Sequence, residues 1–350
     1  MFDLNQIFLQ AIAKGASDVH LIAGERPIMR IYGLLKDLDP KAPIINNDEL
    51  TKAAFTLLNK EKIERFENEW DLDLAHQVDS TRFRINLHYQ LGQIALSARV
   101  VPKDIPEPEF IGLEDKLYEL THLNKGFILV TGPSGSGKST TLAVMINIIN
   151  MERRAHIITL EDPIEFIYPK KNSVIEQREV GRDTKSFYSG LKYALRQDPN
   201  VILIGEMRDP ETMAAALTAA ETGHLVFSTL HTNSAAETLE RIVDSFDSER
   251  QHQILIQLAG ALAAVVTQQL VPTVDDKIAV AREIMVNNAA VSNLIRQNKT
   301  AHIPSVIQTS KAEGMISMNN SLKNLLNKGI ISKQVYQNRS LNAERVGTYF

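Results

Sequence analysis

The sequence predicts an α/β chain in which a parallel sheet, covered by helices on both faces, follows a smaller α+β domain. Three observations lead there. From Leu113 onward, short apolar runs alternate with helical stretches, the pattern of parallel strands buried on both sides. One of those runs opens onto a glycine-rich loop of the phosphate-binding kind. Residues 1–100 instead mix helical periodicity with strand-like alternation, as a largely antiparallel α+β domain does.

In chain order, the periodicity predicts a helix over Leu4–Ala13 stopped by Gly15. Strands are expected at 18–22 and 28–31, a helical region at 48–66, and strands again at 72–78, 82–89 and 93–101. Prolines at 102, 106 and 108 mark residues 101–112 as a stiff, extended linker, since proline cannot sustain a helix. The larger domain then runs over 113–350, with strands at 127–131, 156–160, 201–204 and 225–230. Asp209 is placed to cap the helix between the last two, Pro210 suits its first turn and Gly223 its end. After Ser248 the chain reads as mostly helical, with one strand-like run at 278–286.

The segment Gly132-Pro133-Ser134-Gly135-Ser136-Gly137-Lys138-Ser139-Thr140 carries the chemistry. Its glycines let backbone N–H groups turn inward around phosphates, Lys138 neutralises phosphate oxygens, and the Ser139 hydroxyl ligates Mg²⁺. A strand before it and a helix after it put the anion at a helix N-terminus. The chain is therefore expected to bind ATP with Mg²⁺. The next strands end in Glu161-Asp-Pro-Ile-Glu165, Gly205-Glu206 and His231. Carboxyl ends of parallel strands share one edge, where ligands bind. Acidic residues after strands are often helix caps and a lone histidine is often structural. Beside a phosphate loop, their convergence points to function.

Phosphoryl transfer needs a metal site, an oriented water and positive charge. Glu206, ending an apolar strand, is expected to hold Mg²⁺, and Glu165 to polarise the water. Arg82, Arg84 and Arg99 are the candidate cations; the first two stand at i and i+2 and so share a sheet face. A solvated face is the plain alternative.

Composition narrows the class. The 350 residues carry a net charge of −4 and no basic arm, which disfavours nucleic-acid binding by counterion release. No cysteine is present, so disulfides and thiolate zinc sites are excluded. The opening residues, Met-Phe-Asp-Leu-Asn-Gln, lack the basic and apolar regions of a signal peptide. The most apolar stretch, Leu258 to Val266, is about half the ~20 residues that a membrane span needs.

These blocks resemble the secretion ATPases of type IV pilus and type II secretion machines. Residues 132–140, 158–166, 201–209 and 223–232 look like that family's Walker A, Asp box, Walker B and His box, in order. The resemblance extends to Gly-Ala-Ser-Asp-Val-His-Leu at 15–21 and Arg-Phe-Arg-Ile-Asn at 82–86. It implies a PAS-like N-terminal domain and a RecA-like ATPase domain assembled as a homohexamer, with Arg82, Arg84 and Arg99 reaching the nucleotide. It also makes His231 a sensor of nucleotide state, with His224 a weaker candidate. Within the family the retraction motors are nearest, because extension and secretion members usually carry a four-cysteine zinc loop. Ala290–Gln297 is similar to a retraction signature, departing from it at Ser292 and Gln297. The resemblance implies pilus retraction and twitching motility, on the cytoplasmic side of an inner-membrane platform protein. An accessory retraction ATPase is the alternative role, and also a possible partner; a RecA-like nucleic-acid translocase is the remote one.

Overall fold

The computed structural model describes residues 3–31, 34–79, 81–101, 104–275 and 277–340. Pro102 and Lys103 of the expected linker, and 341–350 of the expected larger domain, lie outside them. The chain divides into two compact units: residues up to Asp104 together with 165–167, and Ile105–Ile164 with the chain from Tyr168 on.

The first unit contains α1 (Leu4–Ala13), β1 (Asp18–Ile22), β2 (Ile28–Ile31), β3 (Leu34–Asp37), α2 (Asn47–Phe55), α3 (Lys60–Glu69), β4 (Asp71–Val78), β5 (Thr81–Gln90) and β6 (Gln93–Val101). The strands form one antiparallel sheet in the order β3-β2-β1-β6-β5-β4. Asp3 starts α1 by accepting the Asn5 N–H at 2.9 Å. Helical spacing then turns Leu4, Phe8 and Ala11 inward, and Phe8 stacks on Phe83 with ring centroids 4.4 Å apart. Alternation along β5 buries Phe83, Ile85 and Leu87. Each such side chain contributes about 1.5–3 kcal/mol, and Arg82, Arg84 and Asn86, which alternate with them, are left on the opposite face.

The sequence signal at 48–66 resolves into two helices, because Asn59 caps a second start by accepting the Lys62 N–H. β3 was not foreseen: its four residues are all exposed, so it shows no buried alternation.

The second unit contains α4 (Asp115–Thr121), β7 (Gly126–Thr131), α5 (Lys138–Glu152), β8 (His156–Glu161), β9 (Val174–Glu179), α6 (Phe187–Ala194), β10 (Val201–Ile204), α7 (Pro210–Glu221), β11 (Leu225–Leu230), α8 (Ala235–Asp244), α9 (Ser248–Ala261), β12 (Leu262–Pro272), β13 (Ile278–Val286), α10 (Ala289–Arg296), α11 (Ile303–Thr309), α12 (Met318–Asn327) and α13 (Lys333–Arg339). Its sheet runs β13-β12-β7-β11-β10-β8-β9, parallel throughout except for the antiparallel edge strand β13.

All six residues of β7 are buried. Phe127 and Leu129 enter the core on one face of the sheet and Ile128 and Val130 the core on the other. That two-sided burial explains why the strands read as continuous apolar runs. α7 begins as its sequence indicates, with Asp209 accepting the Thr212 N–H at 2.7 Å and Pro210 in the first turn. Gly223, at φ 114°, follows its last turn.

One expectation is corrected. The region after Ser248 is mostly helical but holds two strands, not one: β12 follows α9 directly and lies between β7 and β13. The apolar run Leu258 to Val266 crosses that boundary, and its one glycine, Gly260, lies inside α9 and not at its end, so local pattern does not divide it. Pairing with β7 does.

Candidate functional site

The parallel order sets the site. β7, β11, β10 and β8 are successive neighbours, so the phosphate loop, His231, Glu206 and Glu161 emerge side by side at their carboxyl ends. The loop links β7 to α5. Gly132 has φ 141° and Gly137 has φ 83°, conformations that side chains rarely adopt. At Gly132 a Cβ would also collide with the Gln268 carbonyl oxygen of β12. No side chain caps α5, so its first N–H groups remain directed at the loop's mouth.

Lys138 is buried, and its Nζ donates to the carbonyls of Gly132 at 2.9 Å and Pro133 at 3.0 Å. Ser139 and Thr140, half-buried, occupy the first turn of α5. Beside the loop on the β12 side is a cleft of about 450 Å³, whose lining includes Pro133, Ser136, Gln268 and Leu270. Its volume lies within the range of small-molecule sites, roughly 300–1,000 Å³.

Glu206 is half-buried and ion-paired through Oε1 with Arg208. The His231 Nε2 lies 3.7 Å from its other oxygen. The hydrogen bond from Arg208 to Glu206, helped by the charges of Glu206 and Asp162, holds the Arg208 guanidinium above its ordinary pKa despite the opposing effect of burial. Burial lowers the His231 pKa, and the positive charges of Lys138 and Arg208 lower it further, overcoming Glu206. His231 is therefore mainly neutral at pH 7, suited to hydrogen bonding rather than to a fixed charge. Glu161 is buried and accepts from Thr159 Oγ1 at 2.6 Å and Gln177 Nε2 at 3.2 Å. It serves the β8 end internally.

These residues fit a Mg²⁺-nucleotide. The buried Ser136 Oγ has no hydrogen-bond partner and sits in the loop itself. Among the described residues no group of three or more His, Asp or Glu could hold a metal alone. A metal carried by Ser139, Glu206 and phosphate oxygens matches that donor set, because Mg²⁺ is usually held by one or two carboxylates with phosphates and water.

The structure thus brings Lys138, Glu206 and His231 into one electrostatic neighbourhood. Glu165 and the three arginines belong to the other unit. Glu165 is exposed, two residues beyond the cis Asp162–Pro163 bond. Arg84 and Arg99 are direct cross-strand partners, and Arg82 lies two residues along on the same face. Arg84 Nη2 approaches Asp73 at 3.5 Å and Arg99 Nε donates to Asp18 at 2.9 Å.

His224 is corrected: it precedes β11 whereas His231 follows it, so the two stand at opposite edges of the sheet. Its Nδ1 lies 2.8 Å from the Ala219 carbonyl, a contact at the end of α7. Sequence reasoning passed over Arg208, although it stands two residues after Glu206. It could not place Gln268 without β12. In the retraction-like block, Ser292 turns inward and donates to the Ala259 carbonyl at 2.9 Å, tying α10 to α9.

Comparison with known proteins agrees with this geometry. Residues 2–343 match the family described as type II/IV secretion system protein. The chain is 39% identical over 333 residues to the type IV pilus retraction ATPase PilT of Pseudomonas aeruginosa, covering 95% of this chain and 96% of that one. It is 36% identical over 323 residues to the type IV pilus ATPase PilU of the same organism, covering 92% and 84%. A crystal structure of the pilus retraction motor PilT with bound ADP superposes with a TM-score of 0.91 at 43% identity, covering 99% of both chains. The chain belongs to the type II/IV secretion system protein family.

Proposed function

We propose that this chain is the ATPase motor of type IV pilus retraction, hydrolysing ATP to drive twitching motility. The observation that carries the reading is the likeness to PilT along nearly the whole of both chains. The charged cluster at the loop supplies the chemistry. Gly132–Gly137 and Lys138 bind the phosphates, and Ser139 and Glu206 hold Mg²⁺, which when bound adds positive charge at the phosphate oxygens. Glu165 polarises the attacking water, while His231 senses the state of the phosphate end. Residues 101–112 act as the hinge between a PAS-like and a RecA-like domain.

The working form is a homohexamer in the cytoplasm, acting on an inner-membrane platform protein. No helix among the described residues is long and apolar enough to cross a membrane, so force must pass through such a partner. Deleting the gene should leave cells with surface pili and without twitching. Cells that lose surface pili altogether would overturn retraction in favour of extension. The likeness to PilU favours a second reading, an accessory motor working with a paralogue; twitching that is unchanged when this gene alone is deleted, because the paralogue carries retraction, would select it.

Arg82, Arg84 and Arg99 are assigned to turnover, supplying positive charge toward the γ-phosphate in the assembled ring. Arg84→Glu should lower the hydrolysis rate while unfolding free energy changes by about 0.5 kcal/mol or less, as at other exposed positions. The new carboxylate meets Asp73 on one side but Arg99 on the other, so the local charges nearly offset. A large fall in Tm with unchanged turnover per folded molecule would make the arginine face structural. A fully active monomer, seen by mass photometry at the assay concentration, would remove the ring.

A further inference from the structure

Arg282, in β13, is the largest side chain fully buried among the described residues. Burying a guanidinium is costly, and well-packed apolar residues often serve stability equally well. Its five N–H donors are all directed at oxygens. Nε reaches Gln268 Oε1 at 3.4 Å; Nη1 donates to the Gly112 carbonyl at 3.0 Å and Glu114 Oε2 at 2.9 Å; Nη2 reaches the Ile111 carbonyl at 3.2 Å and Thr141 Oγ1 at 3.4 Å. The network therefore starts at the segment Ile111–Glu114, which leads into α4.

It continues to the phosphate loop through Gln268, the cross-strand partner of Arg282. Gln268 Oε1 also accepts from Thr141 Oγ1 at 2.9 Å. Two donors at the oxygen leave only one orientation for the amide, with Nε2 facing away. In that orientation Nε2 donates to the Ser136 carbonyl at 2.7 Å. The Ser136 carbonyl and the Gly137 N–H belong to one planar peptide unit and, in the trans form, point in opposite directions. Holding that carbonyl against β12 consequently turns the Gly137 N–H away from β12. Gln268 is in close register with the loop at both hinges: its carbonyl excludes a Cβ at Gly132, and its Nε2 would lie 3.3 Å from a Cβ at Gly137.

We propose that Gln268 and Arg282 are positioning residues for the phosphate loop. Gln268 aims the Gly137 N–H at the bound phosphates, and Arg282 locks the Gln268 amide in the orientation that does so, anchored on Ile111–Glu114. Neither touches the reacting atoms. The inference rests on the nucleotide-binding reading above and extends it to the wall behind the loop. An N–H held in place binds phosphate equally before and during transfer, so its loss raises KM and leaves kcat nearly unchanged.

Gln268→Glu tests this with least disturbance. The side chain keeps its shape and its acceptors for Arg282 and Thr141, but the second oxygen now repels the Ser136 carbonyl. The full-length variant should keep its Tm and bind ADP with Mg²⁺ about tenfold or more weakly by calorimetry, the scale of one disrupted hydrogen bond to a charged ligand. Its KM for ATP should rise in parallel, with kcat within about threefold of wild type, as expected for loss of uniform binding. A folded variant with wild-type ADP affinity would overturn the proposal.

If Gln268→Glu does not fold, Thr141→Val carries the test, since it removes one donor from Gln268 Oε1 and preserves the side-chain shape. Its ADP affinity should fall by about threefold, the lower end for one weakened neutral hydrogen bond, and no change would again overturn the proposal. Wild-type protein that fails to bind ADP would instead remove the nucleotide-binding reading on which it rests.

Discussion

Lys138→Ala is expected to abolish measurable nucleotide binding while leaving the fold intact. The ammonium is buried at the start of α5 and held over the loop by the Gly132 and Pro133 carbonyls. Two losses follow its removal. The phosphates lose a full positive charge, worth about 4 kcal/mol for a pair 4 Å apart near a protein surface and hence roughly 10³ in affinity. Both carbonyls also lose the donor that holds the loop in its present shape. The hydrophobic cores on either face of the sheet do not involve the ammonium, so Tm should barely move. Calorimetric titration with ADP and Mg²⁺ would check it. Affinity within threefold of wild type would show that the loop does not hold the phosphates.

Glu165→Gln should have the second largest effect, and of a different kind. ADP affinity should persist, because no phosphate-binding group is altered, while kcat falls by ~10²–10³, the usual cost of losing a group that acts mainly in the transition state. Glu206→Gln is the informative partner. Its carboxylate balances Arg208 and neighbours His231, so neutralising it should weaken the response to Mg²⁺ as well as turnover. Steady-state hydrolysis over a Mg²⁺ titration separates the two. Wild-type turnover in Glu165→Gln, with turnover lost in Glu206→Gln, would exchange their roles.

The two carboxylates also mark the boundary between what local sequence carries and what it does not. Glu206 was legible because it ends a short apolar strand two strands from β7, and strand ends in a parallel sheet share one edge. Its pairing with Arg208 was not legible, since nothing in Gly-Glu-Met-Arg-Asp states that the arginine folds back. His224 and His231 look alike in sequence. Their fates differ because β11 separates them, and only strand direction says which end faces the loop.

The sequence alone determined the phosphate loop, the alternation of buried strands with helices, the capping of α7, and the shared face of Arg82 and Arg84. Each is a short-range consequence of glycine conformational freedom, two-sided burial, side-chain caps or the two-residue strand period. Tertiary structure decided β12, Gln268 behind the loop, and the buried Arg282 that joins it to Ile111–Glu114. The reason is physical. Leu258 to Val266 is equally apolar as helix or strand, and only the open edge of β7, whose N–H and C=O groups must be paired once buried, makes the second half extend. Arg282 and Glu114 stand 168 residues apart, so their pairing exists only after the sheet has formed around them.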